Sequence, residues 1–225
     1  MPASSTGRSK TALKVNEIFY SIQGESSYAG RPCVFVRLTG CNLRCSYCDT
    51  TYAYEEGVWL AVSEIEQAVR RFNCRVVEVT GGEPLLQGET PDLIRRLLDR
   101  GFTVLLETNG SQDIRLVDGR CIRIVDVKLP SSGEGLRNRL DNLRHLSARD
   151  EVKFVVGGRE DFDCAKRILS AYPDIGQLDN PPLFSAAYGR LPLAMLAEWI
   201  LEDRLTVRLQ VQLHKMIWGE DKRGV

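Results

Sequence analysis

Val34-Phe35-Val36-Arg37-Leu38-Thr39-Gly40-Cys41-Asn42-Leu43-Arg44-Cys45-Ser46-Tyr47-Cys48 joins a β-branched, aromatic run to a loop with three cysteines in eight residues. Residues 34–38 predict a strand. Further on, Ser63 and Glu66 form a capping box that opens an amphipathic helix over residues 63–72. Residues 76–79 are the next strand, ending in Thr80-Gly81-Gly82-Glu83-Pro84. Thr90-Pro91 gives an N-cap with proline at the first helical position, and Gly101 closes that helix. Strands are predicted at residues 102–106, 122–127, 152–156, 182–185 and 205–211, and helices at 136–146, 161–171 and 192–201. Strand and helix in alternation imply parallel β-α units with right-handed crossovers. About six core strands plus a C-terminal strand are too few for a closed eight-stranded barrel of ~250 residues. The expected fold class is therefore α/β, a partial, laterally open parallel β/α barrel. A flat doubly wound sheet is the structural alternative, but no G-x-G-x-x-G follows a predicted strand. In either fold chemistry gathers at the C-terminal strand ends, where the cysteine loop, the Gly81–Pro84 turn, Glu107-Thr108-Asn109 and Asp126-Val127-Lys128 all fall.

The 225 residues fit one domain, and a chain of that length buries roughly 70–75% of its unfolded surface without disulfide staples. Apolar residues make up 43% and charged residues 27%, an ordinary globular balance. Thirty Lys and Arg match thirty Asp and Glu, so no excess charge argues for bulk binding to nucleic acid or a membrane surface. No run reaches the ~18 apolar residues of a membrane helix. Residues 1–13 read as a flexible polar leader without the apolar segment of a secretory signal. They precede a single domain, 14–225, with a C-terminal extension. A cytoplasmic location is expected. Seven cysteines cannot all pair within one chain, and Cys33, Cys74, Cys121 and Cys164 read as small buried apolar side chains.

Cys41, Cys45 and Cys48 need another explanation. A C-x3-C-x2-C loop lets three thiolates converge on one metal centre, yet no second C-x2-C exists to complete a zinc ribbon. Three sulfurs on a cubane would leave one iron without a protein ligand, open to a small chelator. The structural alternative is a zinc knob completed by Cys33 or a histidine.

The loop, with an aromatic Tyr47 before its third cysteine, resembles the signature of the radical S-adenosylmethionine superfamily. Gly81-Gly82-Glu83-Pro84 stands in register where that superfamily places a G-G-E-P turn against the methionyl amino group. The resemblance implies an open barrel of the radical S-adenosylmethionine type and a [4Fe–4S] cluster held by Cys41, Cys45 and Cys48. It further implies S-adenosylmethionine on the open iron, cleaved by one electron to a 5′-deoxyadenosyl radical. Tyr47, Cys48, Asp49, Gly82 and Glu83 match positions that contact S-adenosylmethionine. Asp126, Val127 and Lys128 stand where many relatives show Ser-Pro-Lys; Lys128 is the preferred contact there, with Asp126 second. Ser185, with Phe184, is placed near the adenine by its strand-end position.

The flanks, residues 16–25, 37–41, 49–50, 211–215 and 223–225, narrow the resemblance to the ring-contracting lyases that lead to queuosine and other 7-deazapurines. This implies 6-carboxy-5,6,7,8-tetrahydropterin as substrate, 7-carboxy-7-deazaguanine as product and ammonia as leaving group. The adenosyl radical would take a hydrogen from C6 and later return it, regenerating S-adenosylmethionine. Thr50 falls where such relatives ligate Mg2+, and oxygen donors suit that hard cation. A flavodoxin or ferredoxin as electron donor and a homodimer are further implications. The substrate-binding set is Ile22, Gln23, Gly24, Glu25, Arg37, Thr80 and Val225. Arg37 shares a strand face with Phe35 and Thr39. Its guanidinium suits either a bidentate clamp on the pterin carboxylate or a structural ion pair. Gln23 offers both donor and acceptor to the amide-like edge of a pterin. His214 is held only as a pocket-lining candidate. Two alternatives share the cysteine loop: an activase that makes a glycyl radical on a partner protein, and a zinc-binding interaction domain without activity.

Overall fold

Parallel strands make up most of the sheet in a computed structural model that describes residues 11–219 and 222–225. In chain order the elements are β1 (Ala12–Ile22), β2 (Pro32–Leu38), β3 (Val58–Ala61), α1 (Val62–Arg70), β4 (Val76–Gly81), α2 (Thr90–Asp99) and β5 (Thr103–Thr108). They continue as β6 (Ile122–Val127), β7 (Glu151–Val156), α3 (Arg159–Ala171), β8 (Leu183–Ala186), α4 (Leu193–Glu202), β9 (Arg208–Gln210) and α5 (Leu213–Trp218). One sheet takes the order β3-β1-β2-β4-β5-β6-β7-β8-β9. All pairs from β2–β4 to β8–β9 are parallel, so the six core strands and the C-terminal strand are present and the sheet is open. Among the described residues no helix is long and apolar enough to cross a membrane.

Five expectations are corrected. β1 and β3 were not anticipated; they pair antiparallel, β1 to both β2 and β3, and extend the sheet beyond its parallel part. β1 starts at Ala12, inside the expected leader, while residues 1–10 lie outside the described residues. The helix expected at 136–146 is instead two short 3-10 turns, Gly135–Arg137 and Leu140–His145. There Asn138 and Asn142 donate to the carbonyls of Lys128, Gly135, Gly110 and Gln112, which is how asparagine side chains compete with a helix. Finally, α1 is capped one residue pair earlier than the Ser63/Glu66 box: Glu64 accepts from the Ala61 N–H at 2.7 Å. Likewise Thr90 lies inside α2 and donates from its hydroxyl to the Pro84 carbonyl at 2.6 Å.

Alternation along the strands sorts side chains onto two faces. On the helix side Val34, Val36 and Leu38 of β2 and Val77 and Val79 of β4 join the main core with Ile65, Leu93, Leu97 and Phe162 from the helices. On the other side a smaller apolar cluster of Cys33, Phe35, Val76, Leu105, Ile122 and Ile124 fills the N-terminal half of the strands. Further along the same face the strands carry Arg37, Glu78, Thr80, Glu107, Asp126 and Lys153 instead. The chain thus builds a dry floor under a polar cavity. Cys33 and Cys121 are buried as expected, whereas Cys74 and Cys164 are only half-buried against the core.

Candidate active site

Cys41, Cys45, Tyr47, Cys48, Asp49 and Thr50 all line the cavity above that floor. The loop after β2 is locked to the turn after β4: the Gly82 N–H donates to the Leu38 carbonyl at 3.2 Å and the Glu83 N–H to the Gly40 carbonyl at 2.8 Å. A Cβ at Gly82 would sit 2.2 Å from the Gly40 oxygen, so only glycine permits this approach. All three loop cysteines are free and half-exposed to the cavity. Burial raises the Cys45 thiol to about 11, and the Cys41 thiol in the same direction; ligation to iron would reverse this by stabilising thiolate.

The donor set fits a polynuclear cluster. Among the described residues no group of three His, Cys, Asp or Glu side chains converges on a single ion. Three thiols on one short loop, with no fourth ligand converging beside them, suit three irons of a cubane better than one tetrahedral zinc. Fit to a small chelating cofactor comes from two orphaned buried atoms, the Tyr47 hydroxyl and Asp126 Oδ1, which have no partner among the described residues. Both belong to residues expected to meet S-adenosylmethionine, whose amino and hydroxyl groups would satisfy them.

A charged chain of side chains lies across the inner face. Lys153 Nζ is 2.8 Å from Glu25 Oε2 and 3.4 Å from Asp126 Oδ2, and also donates to Glu107. Lys128 Nζ reaches Asp126 Oδ2 at 2.9 Å. Burial opposes ionisation of Glu25, but Lys153 prevails and holds it below the ordinary carboxylate range. Asp126 is lowered in the same way, burial being outweighed by Lys128 and Lys153. Gln23 Oε1 accepts from the Glu25 N–H at 2.9 Å. Gly24 has no room for a side chain, since a Cβ would lie 2.1 Å from His214 Nδ1. His214 lines the cavity, with burial depressing its imidazole below the usual range.

Arg37 makes a structural ion pair and also lines the cavity. Its Nε donates to Glu17 Oε1 at 2.8 Å. Its guanidinium lies 5.7 Å from the Phe19 ring centroid and 5.8 Å from that of Tyr52. The pair with Glu17 engages Nε and leaves the terminal nitrogens for a ligand carboxylate. Ile22, Gln23, Gly24, Glu25, Thr80 and Val225 share the cavity, as do Gly82, Asp126 and Lys128.

Three residues expected as contacts, Glu83, Val127 and Ser185, are not among those that line the cavity. Glu83 is fully buried and accepts from the N–H groups of Leu85 at 2.9 Å and Asn109 at 2.7 Å and from the Thr108 hydroxyl at 2.9 Å. Its carboxylate ties the turn after β4 to the end of β5. Val127 alternates away from Asp126 and Lys128 into the main core. Ser185 is buried in β8, and Val155, Ala187 and Tyr188 form the wall there. Sequence reading in turn missed Glu78, Lys153 and Lys215 and gave Glu107 and Asn109 a place at a strand end but no role; all five are on the wall. The signal that points to Glu78 and Lys153 is a charged residue inside an otherwise apolar strand, as in Val76-Val77-Glu78-Val79 or Val152-Lys153-Phe154.

Asp49 meets Lys215 Nζ at 2.6 Å and accepts from the Thr50 hydroxyl at 2.9 Å. Burial favours its neutral form, yet Lys215 outweighs it and the carboxyl falls to about 2 from an ordinary 3.8. A depressed carboxyl stabilises the fold above the unfolded value and loses that contribution as pH falls through the folded one. Asp49→Asn should therefore flatten the acid limb of the stability curve between ~pH 4 and ~pH 2, read by thermal melts; an unchanged limb would show that Lys215 does not hold the ionised form.

Three thiols on the loop after the first parallel strand of an open β/α sheet define a radical S-adenosylmethionine enzyme, and the family model described as Radical SAM superfamily matches residues 35–129. A 7-carboxy-7-deazaguanine synthase of Chlorobaculum tepidum is 48% identical over 216 residues, covering 95% of this chain and 97% of that protein. Another, from Koribacter versatilis, is 40% identical and covers 95% of this chain and 100% of its own. The chain belongs to the 7-carboxy-7-deazaguanine synthase family. The crystal structure of QueE from Escherichia coli agrees in fold, with a TM-score of 0.75 at 23% identity over 90% of this chain and 95% of that one. The activase and the inactive zinc domain are both set aside by this membership. The protein is a radical S-adenosylmethionine lyase.

Proposed function

We propose that the chain converts 6-carboxy-5,6,7,8-tetrahydropterin to 7-carboxy-7-deazaguanine with release of ammonia. The observation that carries this is one cavity in which the three cysteines face Gln23, Glu25, Arg37 and Thr80. Cys41, Cys45 and Cys48 hold the cluster, and Tyr47, Gly82, Asp126 and Lys128 line the space for S-adenosylmethionine. When bound, this pair supplies the adenosyl radical that the ring contraction requires. The protein's own part is placement. Arg37, stacked near Phe19 and Tyr52 and oriented by Glu17, offers its terminal nitrogens to the substrate carboxylate. Gln23 and Glu25 meet the amide-like edge, and the dry floor of Phe35 and Leu105 excludes water beneath the ring. Thr50, already hydrogen-bonded to Asp49, is the candidate Mg2+ ligand, an oxygen donor of the kind the ion prefers. Val225 borders the substrate space. The same reading includes a flavodoxin- or ferredoxin-like electron donor, a homodimer and a cytoplasmic location.

Anaerobic assay of the reconstituted protein with the carboxytetrahydropterin, S-adenosylmethionine, Mg2+ and a reductant tests the proposal. Deazapurine formation with S-adenosylmethionine undepleted over many turnovers is expected; no product would refute it. Arg37→Ala should raise the substrate KM by ~10-fold or more, because a charge-assisted bidentate contact is lost. Uncoupled cleavage of S-adenosylmethionine should persist. Loss of the cluster from this variant would make Arg37 structural instead.

A further inference from the structure

Glu78 is a carboxyl in the middle of β4, 2% exposed, on the cavity side of the sheet. Its neighbours in register are apolar on both sides, Phe35 of β2 and Leu105 of β5. The other side-chain carboxyls on the cavity wall each meet a cation: Asp49 meets Lys215, Asp126 meets Lys128, and Glu25 and Glu107 meet Lys153. Glu78 has no cation within ion-pair distance among the described residues. Its Oε2 accepts from Gln23 Nε2. The orientation of that amide is set by Gln23 Oε1, which accepts from the Glu25 N–H at 2.9 Å. Oε1 of Glu78 has no hydrogen-bond partner among the described residues.

The groups facing Glu78 are Glu25 beyond β1, Arg37 and the Cys33 thiol on β2, Glu107 on β5 and Lys153 on β7. Burial first, and then the charges of Glu107 and Glu25, hold the carboxyl well above the ordinary range; Lys153 and Arg37 oppose this without prevailing. A buried carboxyl between two apolar neighbours costs stability that a valine at the same position would not, so its presence calls for a ligand.

We infer that Glu78 is a substrate-contacting residue that works as a neutral carboxylic acid, donating its O–H to an acceptor on the heterocycle, a carbonyl oxygen or an unprotonated ring nitrogen. A carboxylate could only accept there, whereas the acid both accepts from Gln23 and donates to the ligand. This rests on the proposed pterin reading. It adds a recognition group of the opposite polarity to Glu25.

Two measurements test it. Infrared pH titration of the protein without substrate should show a protonated-carboxyl C=O band persisting at pH 7 that is absent from Glu78→Gln. No such band would overturn the inference whatever the substrate proves to be. In turnover, Glu78→Val should raise KM by about tenfold or more while kcat changes less, because a ligand acceptor is left unpaired. Glu78→Gln, which keeps a neutral donor and acceptor, should recover most of that loss. Unchanged KM in Glu78→Val would reduce Glu78 to a partner of Gln23, and a Gln variant as poor as the Val variant would mean the ionised form is required. A wild-type enzyme inactive on the pterin would sink the proposed function and leave the infrared result standing on its own.

Discussion

Cys41→Ala, Cys45→Ala and Cys48→Ala should each fold yet retain less iron and sulfide after anaerobic reconstitution and lose more than ~100-fold in turnover. Replacing groups that merely orient metal ligands typically costs 10–100-fold, so removing a ligand itself must cost more. The fold should survive because the three side chains sit on a cavity-lining loop that is only half-buried, outside both apolar clusters. Circular dichroism and thermal melts would verify this. Iron content and the visible spectrum then separate cluster loss from loss of chemistry. A variant with near-wild-type turnover would remove that cysteine from the ligand set.

The second large effect is expected at Lys153. Its ammonium, 6% exposed, joins Glu25, Glu107 and Asp126 in the middle of the sheet. Lys153→Met keeps most of the volume and leaves these carboxyls without their shared cation. Breaking a buried ion pair from one side costs ~3–5 kcal/mol, which corresponds to a fall in Tm of roughly 6–20 °C for a chain of this size. The pH dependence fixes the cause. Lys153 holds Glu25 below its ordinary value against burial, so the wild type keeps that stabilisation at neutral pH and loses it in acid. In the variant the carboxyls shift upward and become neutral on mild acidification. The gap between the two proteins should narrow as pH falls from 7 toward 4. A constant gap would point to lost packing alone.

The strands legible in the sequence were those with local signatures: β-branched runs ended by glycine turns and followed by helices. β1 escaped because Asn16, Glu17 and Ser21 break its apolar pattern, and because its outer partner, β3, lies some forty residues away. Residues 136–146 carry leucines at helical spacing, yet their asparagines bind backbone carbonyls of neighbouring segments, a tertiary override that no local pattern reports. The site divides in the same way. Cys41, Cys45 and Cys48 are contiguous and could be read at once. Glu78, Glu107 and Lys153 sit on three different strands and share one wall only after the sheet is assembled. Glu83 shows the converse: its motif was legible, but its carboxylate supports the turn from behind rather than facing the ligand space.

The open side of the sheet is joined by scattered hydrogen bonds, two of them through side chains, rather than by a strand ladder. The Ser26 N–H donates to Gln210 Oε1 at 2.6 Å, Leu213 N–H to the Gly24 carbonyl at 3.0 Å, and Gln212 Nε2 to Glu25 Oε1 at 2.9 Å. The segment around Ser26 therefore waits for one 184 positions later before the chamber is whole. A nascent polypeptide already displays its three thiols when Gln210, Lys215 and His214 have not yet been made. Cofactor loading that depends on a finished chamber thus requires residues 210–213 to be made and folded onto the segment after β1.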